Sequence, residues 1–308
     1  MGNILVTSYI NPDMDGTACA VAYAEFINKT GGLSTAGLLG LPHEEALYVS
    51  ERFNIFLPLI ENTDDFTKIV LVDVSELRLF AGKIVPEKVI EIIDHRQVGQ
   101  TDEFVNAKKQ IELVGSAATL VAEKFIGNNV KISRDSAILL LSAIISNTLN
   151  FKGSVTTDRD RVVADFLFEV SKLEKDYYKE LFASKSDMAG EKLKNTLMAD
   201  KIVVRQISDK RIVVPQLEII GAKELLEQRG PEILEILDEM KKTDQLDFIF
   251  LNLVDLENIC NYFVTKDFET QKLINKIYGL DFVEGHAIKE GLVLRKQIWP
   301  LIVSKLEK

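Results

Sequence analysis

Three apolar segments in the first third of the chain are followed by acidic or imidazole side chains. They are Ile4-Leu5-Val6 before Asp13 and Asp15, Val70-Leu71-Val72 before Asp73, and Ile92-Ile93 before Asp94 and His95. Unbroken Val, Ile and Leu runs are typical of parallel strands that are covered on both faces. Ligands of such sheets bind beyond the carboxyl ends of the strands. The sequence therefore predicts a parallel sheet with potential metal ligands gathered along one edge.

The rest of the first half alternates between strand and helix patterns. Apolar runs predict strands at 4–8, 33–40, 68–74 and 88–94, and helical spacing predicts helices at 17–29, 43–52 and 116–126. This alternation favours an α/β fold, with a doubly wound and mostly parallel sheet.

The second half has a different pattern. A long helix or a helix pair is expected at 134–149 and another at 158–180, and the polar stretch 183–190 reads as a linker. Beyond it, short strands at 202–207, 211–215, 248–254 and 260–265 accompany helices at 222–241 and 269–278. Strand pairs close in sequence favour a smaller α+β domain with a mixed sheet. We therefore expect a metal-binding domain over 1–185, a linker at about 186–192 and a substrate-binding domain over 193–308.

Composition limits the partners of the chain. Its 47 acidic and 37 basic residues give a formal net charge of −10, which argues against nucleic-acid or membrane-surface partners, because both require basic patches. A small anionic substrate remains compatible with local positive charge. Cys19 and Cys260 are isolated and are expected to be buried, reduced thiols. With no secretory pattern at the start and no apolar run long enough for a bilayer, a cytoplasmic protein is expected.

The acids have the spacing of a metal site. Asp13 and Asp15 lie two residues apart on a turn, so their diverging side chains can reach two different ions. Asp73 can bridge the ions, and His95 adds a borderline nitrogen ligand. Such a mixed oxygen and nitrogen set suits Mn²⁺, Mg²⁺ or Co²⁺. Two neighbouring ions activate water and screen phosphoryl oxygens together.

Four segments carry a family resemblance: Asn11-Pro12-Asp13-Met14-Asp15, Leu71-Val72-Asp73, Ile93-Asp94-His95-Arg96 and Ser146-Asn147-Thr148-Leu149-Asn150-Phe151-Lys152. They resemble the motifs of the DHH phosphoesterase superfamily, and within it the family II, manganese-dependent inorganic pyrophosphatases. Val114-Gly115-Ser116-Ala117-Ala118-Thr119 and, near the C-terminus, Arg295-Lys296-Gln297 with Pro300 extend the resemblance to almost the whole chain.

The resemblance implies a phosphohydrolase that cleaves pyrophosphate in a cleft between two domains, with two Mn²⁺ ions per chain. By position, Asp13 would ligate one ion, Asp15 and His95 the other, and Asp73 would bridge them. Arg295 and Lys296, on a basic strand, and Lys201 would bind phosphate oxygens. A homodimer formed through an edge strand is also implied.

Three positions depart from the pyrophosphatase pattern. Tyr9 replaces a histidine, Asn147 replaces an acid, and Arg96 replaces a second histidine. A phenol is a poor ligand, an amide lacks the negative charge of an acid, and arginine cannot ligate a metal. Arg96 instead adds a fixed positive charge near the phosphates. An exopolyphosphatase or small-molecule phosphoesterase, or a catalytically weak protein that binds a phosphorylated ligand or a partner, therefore remains an alternative.

Several of these residues also have a purely structural interpretation. Asp13 and Asp15 can cap a helix in a solvated turn. Asn147 is as readily a backbone-fixing amide as a ligand, and Tyr9 is expected to pack or to form a hydrogen bond near the site. Asp94 is expected to orient His95 or the loop backbone without touching metal. Arg295 and Lys296 can equally form a solvated strand end.

Overall fold

The computed structural model describes residues 3–95, 101–200 and 205–307, and the chain divides into two compact units, Met1–Ser184 and Lys185–Lys308. Arg96 and Lys201, both predicted to bind phosphate, lie outside the described residues. The predicted strand at 202–207 also begins outside them.

A five-stranded parallel sheet organises the first unit. Its strands, in the spatial order β2-β1-β5-β6-β7, are β1 (Ile4–Thr7), β2 (Ser34–Ala36), β5 (Lys68–Val72), β6 (Val89–Asp94) and β7 (Lys108–Ile111). Two short parallel strands, β3 (Leu38–Leu39) and β4 (Leu59–Ile60), pair separately. The central strands are apolar because both of their faces are covered: Leu5, Val70 and Ile92 are almost completely buried.

The helices of the first unit are α1 (Met14–Lys29), α2 (Glu44–Phe53), α3 (Ala117–Gly127), α4 (Arg134–Asn147), α5 (Asp158–Ser171) and α6 (Tyr177–Ser186), whose last two residues belong to the second unit. Single 3-10 turns occupy Leu77–Phe80 and Pro86–Lys88. Helix α4 is apolar on all sides because it is buried along most of its length. Helix α1 starts three residues before the predicted position, since Asp13 caps it.

The second unit is a mixed α+β structure. Its elements are α7 (Lys192–Ala199), β8 (Arg205–Ile207), β9 (Lys210–Val213), β10 (Gln216–Ile219), α8 (Ala222–Thr243), β11 (Phe248–Ile249), β12 (Leu251–Asp255), β13 (Cys260–Val264), α9 (Phe268–Tyr278), β14 (His286–Glu290) and α10 (Arg295–Leu306). The strands form a four-stranded sheet with the order β10-β12-β13-β14 and a three-stranded sheet with the order β11-β9-β8. Each sheet contains parallel and antiparallel pairs. The predicted fold class, a parallel α/β domain followed by a smaller mixed domain, is confirmed.

Individual elements differ from the sequence-based expectation. The prediction of a basic strand at Arg295 and Lys296 is wrong, because these two residues begin helix α10. This helix buries Ile298, Trp299 and Ile302 at helical spacing. The predicted strand 33–40 divides into β2 and β3 around Gly37. Of the helix or helix pair expected at 158–180, the structure has the pair, α5 and α6, and the polar stretch 183–190, expected as a linker, is helical as far as Ser186. Strand β7, with the sequence Lys-Lys-Gln-Ile, was not predicted because an edge strand needs little apolar surface.

The expectation for the two cysteines is confirmed. Cys19 and Cys260 are buried free thiols. Within the described ranges, no helix combines the length and apolarity needed to span a bilayer.

Candidate metal centre

Three of the predicted ligands meet at the carboxyl edge of the parallel sheet. Asp15, Asp73 and His95 each offer one ligand atom, and these atoms lie within 4.8 Å of one another. The His95 Nε2 atom is 3.4 Å from Asp73 Oδ1 and 3.7 Å from Asp15 Oδ2. The side chains of both acids are almost completely buried, and that of His95 is 15% exposed. The cluster is therefore shielded from bulk water.

Asp15 reaches the cluster from the first turn of α1 and is fixed by a different helix. Its Oδ2 accepts a hydrogen bond from the Ala117 N–H at 2.8 Å, and its Oδ1 accepts one from the Ala118 N–H at 2.9 Å. Both donors belong to the first turn of α3, where backbone N–H groups have no partner within the helix. The positive end of the α3 dipole therefore faces the buried Asp15 carboxylate.

Asp73 follows β5 in a left-handed backbone conformation, with φ of 56°. Aspartate is one of the few residues that adopt this region at modest cost. Its N–H donates to the Ile93 carbonyl of neighbouring β6 at 2.8 Å, so the turn stays tied to the sheet. The turn after β5 thus places the Asp73 carboxylate in the cluster.

The orientation of His95 is fixed on its other side. Its Nδ1 lies 3.1 Å from the Val114 carbonyl oxygen, and a carbonyl can only accept, so Nδ1 carries a proton. Nε2 therefore faces the two carboxylates. Asp94 accepts the His95 backbone N–H at 2.8 Å and the Ser75 hydroxyl at 2.6 Å. The expectation that Asp94 orients the His95 backbone is confirmed.

The charges within the cluster shift its pKa values. Burial, followed by the neighbouring charges of Asp15 and Asp13, raises the pKa of Asp73 well above its ordinary value. Burial also raises the pKa of Asp15, although His95 opposes this shift. Burial alone would lower the pKa of His95, but the hydrogen bond to Asp73 and the two carboxylate charges outweigh it and raise the pKa to about 9.

Asp13 does not join this group. Its Oδ1 accepts the Asp15 and Gly16 N–H groups, each at 3.0 Å, and so caps helix α1. Its own N–H donates to the Tyr9 hydroxyl oxygen at 3.2 Å. Burial and the charges of Asp13 and Asp73 raise the pKa of Tyr9 above its ordinary value, so Tyr9 remains a neutral phenol beside the site. The expected hydrogen-bonding role of Tyr9 is confirmed, with the phenol oxygen as the acceptor.

Asn147 contacts the cluster from the last residue of α4. Its Nδ2 donates to Asp15 Oδ2 at 2.5 Å. The amide thus supplies a donor where the resembling family has an acid. Three left-handed residues, Leu149, Asn150 and Phe151, follow soon after it. Such a run is costly for residues other than glycine, and backbone strain of this kind concentrates at functional sites.

The predicted phosphate-binding residues of the second unit begin helix α10. The Arg295 guanidinium donates to Asp200 Oδ2 at 2.5 Å and to the Val214 carbonyl at 3.0 Å. Lys296 is exposed on the same turn. The sequence reasoning missed the three amide side chains that hold this turn, Gln216, Asn252 and Asn261. Two of them, Asn252 and Asn261, are recognisable in the sequence as polar residues inside apolar strands.

The cluster fits a divalent cation. Burial and the charge of Asp15 both disfavour the ionised form of Asp73, and a cation bound between the two carboxylates would offset both effects. Carboxylate oxygens with one imidazole nitrogen suit Mn²⁺, and the Nε2 lone pair of a neutral His95 faces the carboxylates. The hydrogen bond to Val114 is the type of outer contact that orients metal-bound histidines.

Known families match this architecture in the same order. Residues 3–144 match the family model described as the DHH family, N-terminal domain, and residues 179–304 match the DHHA2 domain. The chain therefore belongs to the DHH family of phosphoesterases, which confirms the resemblance seen in the motifs.

Individual relatives add detail. The chain is 28% identical to the manganese-dependent inorganic pyrophosphatase of Methanothrix thermoacetophila, with 99% of each chain covered. It is 26% identical to a probable manganese-dependent inorganic pyrophosphatase of Listeria monocytogenes, with 100% of each covered. Among solved structures, a Methanococcus jannaschii protein provisionally assigned as a family II inorganic pyrophosphatase gives a TM-score of 0.72 at 27% identity, covering 99% of this chain and 100% of the other.

Proposed function

We propose that this protein is a metal-dependent phosphohydrolase that cleaves a phosphoanhydride, with inorganic pyrophosphate as the favoured substrate. The observation that carries the proposal is the buried Asp15–Asp73–His95 cluster, located at the strand ends of a DHH domain. The full-length similarity to proteins named manganese-dependent inorganic pyrophosphatases supports pyrophosphate as the substrate.

The metal would be Mn²⁺, with Mg²⁺ or Co²⁺ as substitutes, and two ions per chain are proposed. Asp15, Asp73 and His95 would hold one ion, and Asp13 with Asp73 would hold the other. Asn147 would contact the first ion through its amide oxygen, since its Nδ2 is engaged with Asp15. A bound divalent ion lowers the pKa of water and polarises a phosphoryl oxygen.

The two domains would have the predicted roles: residues 1–185 would bind the metal, and residues 193–308 would bind the substrate. A linker would connect them at about 186–192. Arg295 and Lys296, with Lys201 and Arg96, would bind phosphate oxygens and offset the charge that shifts to the leaving group. Arg295 is a planar donor on a helical first turn, which supports this role.

The same proposal includes a cytoplasmic location without nucleic-acid or membrane partners, which the net charge of −10 supports. It also includes a homodimer formed through an edge of the parallel sheet. Strand β7 lies at that edge and is flanked by Val105 and Leu113, which are 75% and 64% exposed. Sedimentation analysis would test the dimer, and a monomer would contradict it.

The decisive experiment is a phosphate-release screen of pyrophosphate, tripolyphosphate, and nucleotide and sugar phosphates with Mn²⁺, Mg²⁺ or Co²⁺. We expect the highest rate with pyrophosphate and Mn²⁺. Asp73→Asn should abolish both metal binding and hydrolysis, because asparagine keeps the left-handed backbone but removes the central charge. Asp65→Asn, at an exposed acid outside the cluster, is the matched control. Full activity of Asp73→Asn would contradict the proposed centre.

One observation favours a second candidate, a catalytically weak protein that binds a phosphorylated ligand. The Asn147 amide occupies Asp15 Oδ2, and Tyr9 stands where the resembling family has a ligating histidine. Both changes reduce the affinity of the site for metal. Phosphate-ligand binding without hydrolysis under any metal would favour this candidate.

A further inference from the structure

One short segment contacts two members of the metal centre. The Val114 carbonyl lies 3.1 Å from His95 Nδ1, and the Ala117 and Ala118 N–H groups donate to Asp15 at 2.8 and 2.9 Å. The position of segment 114–118 therefore sets the direction of the His95 ring and of the Asp15 carboxylate at the same time. A displacement of this segment would misplace two proposed ligands together.

The middle of segment 114–118 is held by a buried carboxylate from another helix. Both oxygens of Asp160, in the first turn of α5, accept the Gly115 N–H, at 3.0 and 2.9 Å. Oδ1 also accepts the Thr119 hydroxyl at 2.6 Å, from the first turn of α3. Asp160 is completely buried. Hydrogen bonds to a buried carboxylate are stronger than those between neutral groups, so this contact fixes the segment firmly.

The contact depends on the glycine at position 115. A Cβ atom on that residue would lie 2.8 Å from Asp160 Oδ2 and 2.6 Å from the Thr148 methyl carbon. Both distances are below van der Waals contact, and Asp160 and Thr148 are themselves fully buried. Any larger residue at 115 would therefore push segment 114–118 away from Asp160.

Asp160 also has an ordinary structural role. Its Oδ2 accepts the Thr157 N–H and the Thr157 hydroxyl, both at 2.7 Å, and completes a capping box at the start of α5. The box itself consists of the Thr157 N–H bond to Asp160 Oδ2 and the reciprocal bond from the Asp160 backbone N–H to the Thr157 hydroxyl oxygen, at 3.4 Å. The bonds to Gly115 and Thr119 connect the carboxylate to the metal centre and are not explained by capping.

We propose that Asp160 is a positioning residue for the metal centre, which acts through Gly115 on His95 and Asp15. This inference rests on the proposed function, since it presumes that these side chains bind a divalent cation. Asp160 is completely buried and is not one of the grouped ligand candidates Asp15, Asp73 and His95. Outer contacts of metal ligands typically change metal affinity by about 10- to 100-fold, and we expect Asp160→Asn to weaken Mn²⁺ binding within that range.

The test compares three variants of the full chain. Asp160→Asn removes the charge, Gly115→Ala breaks the same contact from the opposite side, and Thr157→Ala removes the cap of α5 while leaving the bonds to Gly115 in place. Calorimetric Mn²⁺ titrations measure affinity, visible absorption of the Co²⁺-loaded proteins reports ligand geometry, and near-ultraviolet circular dichroism verifies folding. Melting temperatures compare the stability of the three variants with that of the unmodified protein.

We expect Asp160→Asn and Gly115→Ala to weaken Mn²⁺ binding and to alter the Co²⁺ spectrum, whereas Thr157→Ala lowers only the melting temperature. If the unmodified protein binds Mn²⁺ and all three variants bind it equally well, the positioning role is overturned and the metal centre stands. If the unmodified protein binds no Mn²⁺, the proposed metal centre is wrong and the role of Asp160 is wrong with it. Should Asp160→Asn fail to fold, Gly115→Ala decides the question.

Discussion

Two groups of residues differ in how they are held: the acidic end of the first unit (Asp15, Asp73 and His95) and the basic end of the second unit (Arg295 and Lys296). The two ends fix their proposed functional groups in opposite ways. In the first unit, backbone groups hold the side chains: α3 N–H groups hold Asp15, and the Val114 carbonyl holds His95. In the second unit, side chains hold the backbone, because Gln216 Oε1 accepts the Arg295 N–H. The guanidinium itself pairs with Asp200 and is about one quarter exposed.

This difference has an energetic consequence. Asp15 and Asp73 are buried beside each other, so their repulsion is part of the folded state until a cation enters. Arg295 already has a carboxylate partner, because its Nη1 donates to Asp200. The acidic end is thus destabilised without its ligand, whereas the basic end is stable without one. The three predictions below test this contrast, beginning with the largest expected effect.

The metal-free protein should become less stable as the pH rises from 6.5 to 9. The pKa of His95 is raised from 6.5 to about 9 in the folded state, so its stabilising contribution is complete below pH 6.5 and is lost as pH rises through 9. A difference of this size corresponds to about 3 kcal/mol.

Urea unfolding in the presence of a chelator, at pH 6.5 and pH 9, measures this effect. His95→Gln should flatten the pH dependence, whereas Arg295→Gln in the second unit should leave it unchanged. Excess Mn²⁺ should stabilise the protein most at high pH, where His95 is neutral and able to ligate. Identical slopes for His95→Gln and the unmodified protein would show that the acidic end is not the source.

The acidic end was largely predictable from the sequence because two of its residues follow strands that are recognisable as unbroken apolar runs. The runs before Asp73 and His95 are buried central strands, and a parallel sheet brings their ends to one edge. The convergence of Asp15, Asp73 and His95 follows from that topology, and their role as metal ligands remains a prediction. Helix capping by Asp13 was considered only as the structural alternative to metal ligation, and its position outside the group was not predicted.

The supporting contacts could not be predicted in this way. Asp160 reaches Gly115 across 45 residues of sequence, and only the spacing of Thr157 and Asp160, typical of a capping box, marks it. In the second unit, Asn252 and Asn261 are polar residues inside apolar strands, a pattern that indicates a buried network without naming its partners. The basic segment at Arg295 was assigned to a strand through resemblance, although its buried residues have helical spacing.

The second prediction concerns the basic end. Arg295→Gln should lower the catalytic efficiency toward pyrophosphate roughly 10- to 100-fold, mainly through KM, since a hydrogen bond to a charged group contributes about 1.5–3 kcal/mol. Steady-state kinetics measure this loss. Lys305→Gln, an exposed change in the last turn of the same helix, is the matched control. Equal kinetics for the two variants would assign Arg295 to the Asp200 ion pair alone.

The third prediction restores the family pattern at the two departures, with Tyr9→His and Asn147→Asp combined. The change should raise Mn²⁺ affinity by at least about tenfold, equivalent to about 1.4 kcal/mol, because it adds an imidazole and a negative charge beside Asp15. The metal-free form should become less stable, since Asp15 loses its amide donor and gains a like charge.

Calorimetric titration and thermal unfolding with and without Mn²⁺ measure the two effects. Asn62→Asp, which adds the same charge at an exposed turn, should change neither the affinity nor the metal-free stability. Unchanged Mn²⁺ affinity in the double variant would mean that other groups already complete the ligand set. Higher Mn²⁺ affinity without a loss of metal-free stability would instead show that carboxylate repulsion does not destabilise the acidic end. The two ends would then differ only in how far their side chains are exposed to solvent.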